Sequence, residues 1–246
     1  MTTSIPAAAR AELTPTGKLR VGINHGNFLL VNKSSKPGEP TGVAPDLGRE
    51  LAKRLGVPLA FVSYPGAGQL ADSAKTGAWD VGFLGAEPLR AKEISFTAAY
   101  VEIEATYLVP AGSPIKTMAD VDREGVRIAV SDKSAYDLYL RRNLKHAQLV
   151  RAEGIDASYQ LFLKEKLEVL AGLRPRLVED AVKNPGSRVL EGRFTAVQQA
   201  IGTPVGREAG AAYLRAFAEE IKTGLVTELI SKHGVRGLTV APRAAG

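Results

Sequence analysis

The residues best placed to do chemistry lie in Gly85-Ala-Glu-Pro-Leu-Arg90, where a carboxylate precedes a guanidinium by three positions. A guanidinium presents a rigid fork of donors that matches a carboxylate or phosphate. Glu87 has two possible uses beside it. It can pair with Arg90 and compete with an acidic ligand, or it can meet a ligand cation. Asp80–Leu84 reads as a buried parallel strand that breaks at Gly85, and Pro88 suits the first turn of a helix. The spacing therefore predicts Arg90 in that first turn, near free backbone N–H groups, an arrangement suited to an anion.

Parallel α/β sheets bind ligands outside the carboxyl ends of their strands. Three further loops meet that condition. Asn24-His-Gly-Asn-Phe28 follows the first strand; Asn24 and Asn27 offer amide groups and Phe28 an apolar wall, although Asn and Gly also build plain turns. His25 has no second histidine or spaced carboxylates that would make a metal site, so no metal is expected. Ser131-Asp-Lys-Ser134 precedes a predicted helix, where Ser134 is an equally good N-cap. Lys166-Leu-Glu168 opens a later strand, which leads to Leu173 and Arg174. Gly66-Ala-Gly-Gln-Leu-Ala71 superficially fits a dinucleotide fingerprint, but it follows the second strand and lacks the acidic residue that the fingerprint needs. No nucleophile elbow, phosphate loop or zinc spacing is present.

Strands and helices alternate through most of the chain. Leu19–Ile23, Leu59–Val62 and Asp80–Leu84 read as strands, Pro45–Leu55 and Gln69–Thr76 as helices. Leu47, Leu51 and Leu55 form one stripe, and Gly56 and Gly77 stand where helices stop. A Pro/Gly-rich boundary at Val109-Pro-Ala-Gly-Ser-Pro114 opens a second unit. In it Thr117-Met-Ala-Asp120 resembles a capping box. Strands are expected at Val126–Val130, Gln148–Val150, Leu167–Leu170 and Arg188–Leu190, and helices at Ser134–Asn143, Ala157–Lys164 and Pro175–Val182. Thr195–Ile201 is extended. Two helices follow, carrying Leu214, Phe217 and Ile221, then Leu225 and Leu229. The pattern means parallel sheets flanked by helices.

The chain has 246 residues, 45% hydrophobic and 24% charged, with a net charge of +6, which is an ordinary globular balance. Its basic residues are scattered, apart from Arg141-Arg142 with Lys145, which is read as solvated surface. Aromatics make up 6%, too few for a stacking platform, so nucleic acid is not an expected partner. With no cysteine there is no disulfide or thiolate chemistry. No apolar run is long enough to span a bilayer. Met1–Arg10 has neither a basic nor an apolar signal region; this leaves a removed secretory signal or an intracellular protein.

Leu19-Arg-Val-Gly22, Gly42-Val-Ala-Pro-Asp-Leu47 with Ala52-Lys-Arg-Leu-Gly56, Thr76-Gly-Ala-Trp-Asp80, Glu87-Pro-Leu-Arg90 and Phe96-Thr-Ala-Ala-Tyr100 follow one another in a specific order. That order resembles the family 3 extracellular solute-binding proteins, the polar amino-acid receptors of ABC importers. The resemblance runs from about Leu19 to about Val235 and weakens between Ser131 and Phe194. It implies a two-lobed type II periplasmic-binding-protein fold, each lobe a mostly parallel sheet flanked by helices. Residues 1–108 with 202–246 would form lobe one and 109–201 lobe two, with hinge crossovers at Tyr107–Val109 and Val197–Ile201 and the ligand in the interlobe cleft.

The resemblance also implies roles. Arg90 would grip a ligand carboxylate, with backbone N–H groups near Gly85 completing the grip. Glu87 stands where the family usually has a hydroxyl residue. Asn24 and Phe28 carry over as a polar and an aromatic contact. Lys133 takes the place of a glycine, and Ser134 that of a hydroxyl residue contacting the ligand from lobe two. The aspartate that binds an α-ammonium aligns with Leu173 or Arg174, neither of which can do so; Glu168 could replace it only through a register slip. The expectation is a monomeric, non-enzymatic, periplasmic binding protein without a cofactor. It would serve an ABC transporter permease and bind a small carboxylate-bearing or amino-acid-like solute. The alternatives are a dehydratase using Glu87 as an acid, and a cytoplasmic ligand sensor.

Overall fold

The computed structural model describes residues 5–32 and 38–244. The chain divides into two compact units, 1–102 with 198–246 and 103–197. In chain order the elements are α1 (Ala7–Leu13), β1 (Leu19–Asn24), α2 (Val43–Leu55), β2 (Leu59–Tyr64), α3 (Ala67–Asp72), β3 (Val81–Gly85), β4 (Ile94–Phe96), β5 (Val101–Val109), β6 (Arg127–Ser131), α4 (Ala135–Asn143) and β7 (Gln148–Ala152). They continue with α5 (Ile155–Lys164), β8 (Val169–Leu173), α6 (Arg174–Lys183), β9 (Arg188–Val189), β10 (Thr195–Pro204), α7 (Glu208–Ile221), α8 (Leu225–Lys232) and β11 (Thr239–Val240). No helix among the described residues is long and apolar enough to cross a membrane.

In the first unit β1 lies between β2 and β3, parallel to both, and β10 runs antiparallel along β3. Every residue of β3 is buried, as a strand covered on both faces must be. The α2 stripe of Leu47, Leu51 and Leu55 is buried. Gly56 ends that helix at φ 63, a conformation that costs glycine little, and its N–H closes onto Ala52 and Lys53. The helix expected over Gln69–Thr76 is split. α3 stops at Asp72, and a separate 3₁₀ turn covers Ala74–Thr76. The cause is competition for the Leu70 carbonyl, which accepts from the Ser73 hydroxyl at 2.9 Å and from the Trp79 indole at 3.2 Å. Trp79 itself is fully buried among Leu70, Ala74, Leu84 and Ile94.

In the second unit β6 lies between β7 and β8, parallel to both, and β5 runs antiparallel along β8. Its core gathers Leu108, Ala129, Tyr159, Phe162, Leu167, Leu170 and Leu177. The Thr117–Asp120 capping box forms around a single 3₁₀ turn. β8 begins at Val169 rather than Leu167, because Lys166 turns at φ 48 and the Leu167 N–H still closes onto Phe162 of α5. Arg141 is not simply solvated. It bonds the fully buried Asp137 and the exposed Asp132, each at 2.7 Å.

Candidate functional site

The first unit brings its loops together at the carboxyl ends of β1 and β3. No α-helix starts at Pro88. Instead, the Leu89 N–H bonds the Glu87 carboxylate at 2.9 Å and the Ala91 N–H bonds the Glu87 carbonyl at 3.0 Å. Only a three-residue 3₁₀ turn, Arg90–Lys92, follows. The Glu87 carboxylate thus caps a turn in the manner of an N-cap, but the turn continues only as this 3₁₀ segment and no α-helix forms. Glu87 and Arg90 are nevertheless both buried, at 5% and 6% exposure. Arg90 Nη1 donates to the Gly85 carbonyl at 2.7 Å. Burial pulls the Arg90 guanidinium down to about 10, and the nearby Glu87 and Asp72 carboxylates only partly oppose this. Arg90 remains charged at neutral pH. The loop itself is anchored by the Ala86 N–H on the Gln198 carbonyl at 2.7 Å.

The loop after β1 is a tight turn. Asn24 Oδ1 accepts the Gly26 N–H at 3.0 Å, so this side chain shapes the turn. A Cβ at Gly26 would stand 2.8 Å from the Pro65 carbonyl oxygen, so only glycine lets this loop press against the one after β2. The His25 ring meets the Ser63 hydroxyl at 3.0 Å. Asn27 is 6% exposed, and its Oδ1 is buried without a hydrogen-bond partner among the described residues. Such an orphan costs free energy until a donor reaches it. Asn27 rather than Asn24 thus keeps an open polar function. Nothing in the sequence separates the two, because either asparagine can close an Asx turn. Phe28 is half-buried beside it.

The second unit places the other expected residues at the carboxyl ends of β6 and β8. Lys133 takes φ 52, the left-handed conformation that glycine adopts freely, and its side chain is exposed. Ser134 is the N-cap of α4: its hydroxyl accepts the Asp137 N–H at 3.0 Å, and Asp137 Oδ2 accepts the Lys133 N–H at 2.9 Å. Asp137 is also bound by Arg151 at 3.0 Å. Leu173, the last residue of β8, is buried. Glu168 lies at the opposite, amino end of β8, bound to Arg127, and is remote from these loops. The next residue after Leu173, Arg174, bonds Glu104 of β5 at 2.6 Å.

A buried guanidinium with partial compensation, an orphaned amide oxygen and a half-buried ring suit a small polar solute that carries an acid group. Solved structures agree on the fold. The putative binding component of an ABC transporter from Wolinella succinogenes DSM 1740, complexed with lysine, is 23% identical with a TM-score of 0.74, covering 88% of this chain and 95% of that one. An amino acid ABC transporter substrate-binding protein from Streptococcus pneumoniae Canada MDR_19A, bound to L-arginine, is 19% identical at 0.74, covering 96% and 100%. The ancestral amino acid-binding protein AncCDT-1, a precursor of cyclohexadienyl dehydratase, is 21% identical at 0.75, covering 94% and 100%. The fold is thus that of the type II periplasmic binding proteins, a mixed α/β sheet with flanking helices. Residues 19–234 match the sequence pattern of one family. The chain belongs to the bacterial extracellular solute-binding proteins, family 3.

Proposed function

We propose that this chain is the substrate-binding component of an ABC-type importer and that it holds a small carboxylate-bearing solute through Arg90. It would work as a monomer in the periplasm with a permease partner. The burial of Arg90 carries this reading: a desolvated guanidinium whose neighbouring carboxylates do not fully offset its burial gains from a further anion. Asn27 supplies an acceptor for a donor on the solute, Phe28 an apolar contact, and Gly85 the backbone near the acid group. The relatives named for lysine, arginine and amino acids support a solute of amino-acid size.

A thermal-shift screen of small acids and amino acids, followed by calorimetry, tests it. A solute at a hundred times its dissociation constant stabilises the folded state by about 2.7 kcal/mol. Arg90→Met removes a charged hydrogen-bond donor worth about 2–3 kcal/mol, so affinity for the hits falls roughly a hundredfold. Hits that bind Arg90→Met unchanged would sink the assignment. Glu87, buried beside Arg90, favours one second reading, an acid catalyst on the same fold. Turnover of a hydroxylated cyclic acid, lost in Glu87→Gln, would put that reading first.

A further inference from the structure

Residues 239–244 form a strap on the first unit, beyond residue 234, where the family pattern ends. After α8 the chain turns back through Gly234 at φ 63 and Gly237 at φ 80, left-handed positions suited to glycine. β11 then pairs antiparallel with the first residues of β5, Thr239 opposite Glu102 and Val240 opposite Val101. The Ala241 N–H adds a bond to the Tyr100 carbonyl at 3.1 Å. A second set of bonds comes from α7. Lys222, whose side chain is 1% exposed, donates to the Pro242 carbonyl at 2.9 Å and to Glu219 at 2.6 Å. The other Glu219 oxygen accepts the Ala244 N–H at 3.1 Å. A buried ammonium, which requires acceptors, thus has one of them on the strap.

The strap reaches further through the main chain. Tyr100, fully buried, turns its N–H to the Gln199 carbonyl at 2.8 Å. Gln199 lies opposite Gly85 in the ladder of β10 and β3, and the Gly85 carbonyl accepts from Arg90 Nη1. One run of main-chain bonds therefore leads from Ala241 to the guanidinium. From this run we infer that residues 239–244 are a releasable latch that keeps the seat of Arg90 in register, with Lys222 and Glu219 as positioning residues that hold it shut. The consequence for binding rests on the reading that Arg90 grips the solute; the latch itself is tested without one. Two features make it releasable. Only two residues of β11 pair with β5, and residues 236, 237 and 242–244 around them are exposed, which puts the strap at the low end of local stability. Its ionic tie also depends on a carboxylate. The charged groups facing Glu219 are Lys222 on its own helix and Arg243 on the strap. The Lys222 hydrogen bond, aided by the Ala244 N–H, holds the Glu219 carboxyl below its ordinary value. That contribution is complete above about pH 4.3 and is lost as pH falls through the folded value.

A tie that only adds stability is the competing explanation. Hydrogen exchange of single amides, followed by NMR on the whole chain and expressed as protection factors, separates the two. In Lys222→Met, protection at residues 101–102 and 239–241 should fall about tenfold. Tyr100 should follow by a smaller factor, and so should Ala86, whose N–H bonds Gln198 beside Gln199. β1, in the same unit, should stay within about twofold. Glu219→Gln should show the same order at pH 7 and match the wild type near pH 3. An equal loss across β1, β5 and Ala86 marks a plain stabilising tie and overturns the inference. So does a change confined to the strap with Ala86 untouched, because the link to Arg90 is then broken. If Lys222→Met does not fold, Glu219→Gln, which alters a partly exposed side chain, decides by the same pattern. None of these results touches the carboxylate reading, which the loss of binding in Arg90→Met decides separately.

Discussion

The two units fasten adjacent parallel strands with the same device set in different surroundings. In the first, Arg20 of β1 meets Asp80 at the entrance to β3: the Arg20 N–H and Nε reach Oδ2 at 3.0 and 2.9 Å, and Nη2 reaches Oδ1 at 2.7 Å. In the second, Arg127 of β6 meets Glu168 at the entrance to β8, with corresponding distances of 2.8, 2.9 and 2.9 Å. Each arginine also caps a carbonyl just upstream, Gly77 or Lys166. The difference is burial. The Asp80 side chain has no exposed surface and takes a second guanidinium, Arg207, at 2.9 Å, whereas Glu168 keeps 35% of its side-chain surface in water. Identical hydrogen-bond geometry therefore carries unequal weight, because removing one partner of a buried pair strands charge that water cannot reach.

Removing Asp80 should give the largest effect. Asp80→Asn leaves Arg20 and Arg207 without their shared anion and should cost about 3–5 kcal/mol in urea unfolding. A loss under about 1 kcal/mol would mean that burial does not separate the two devices. The matching change in the second unit, Glu168→Gln, should cost clearly less and should depend on pH. Hydrogen bonds from Arg127 hold the Glu168 carboxyl below its ordinary value. Its contribution is then complete above the unfolded value near pH 4.3 and disappears as pH falls through the folded value. Unfolding curves of wild type and Glu168→Gln should differ at pH 7 and converge toward pH 3; a constant gap would assign the effect to packing.

The smallest predicted effect concerns backbone strain. Both non-glycine residues with positive φ among the described residues, Lys133 and Lys166, belong to the second unit. Lys133→Gly should relieve the left-handed penalty and stabilise by up to about 1 kcal/mol, less the added freedom of glycine in the unfolded chain. A gain measured by chemical unfolding would show that relief of the backbone outweighs whatever the lysine side chain contributes. Destabilisation would show that the lysine side chain holds that turn together.

Much of this was legible in the chain. The stripe of Leu47, Leu51 and Leu55, the stop at Gly56, the Thr117–Asp120 box and the apolar run into Gly85 each follow from local periodicity and backbone preference, which a sequence carries directly. The order of the motifs also pointed to the family. Local reasoning failed where side-chain hydrogen bonds competed with the regular backbone pattern. Trp79 and Ser73 took the Leu70 carbonyl and split a helix, and the turn that Glu87 caps did not continue beyond a 3₁₀ segment. Only the tertiary structure buried Arg90, turned Asn24 inward to its own loop while leaving Asn27 orphaned, and paired Glu168 with Arg127. The physical reason is that period and propensity act over a few neighbouring residues, whereas burial and charge pairing depend on which distant loops a strand order brings together.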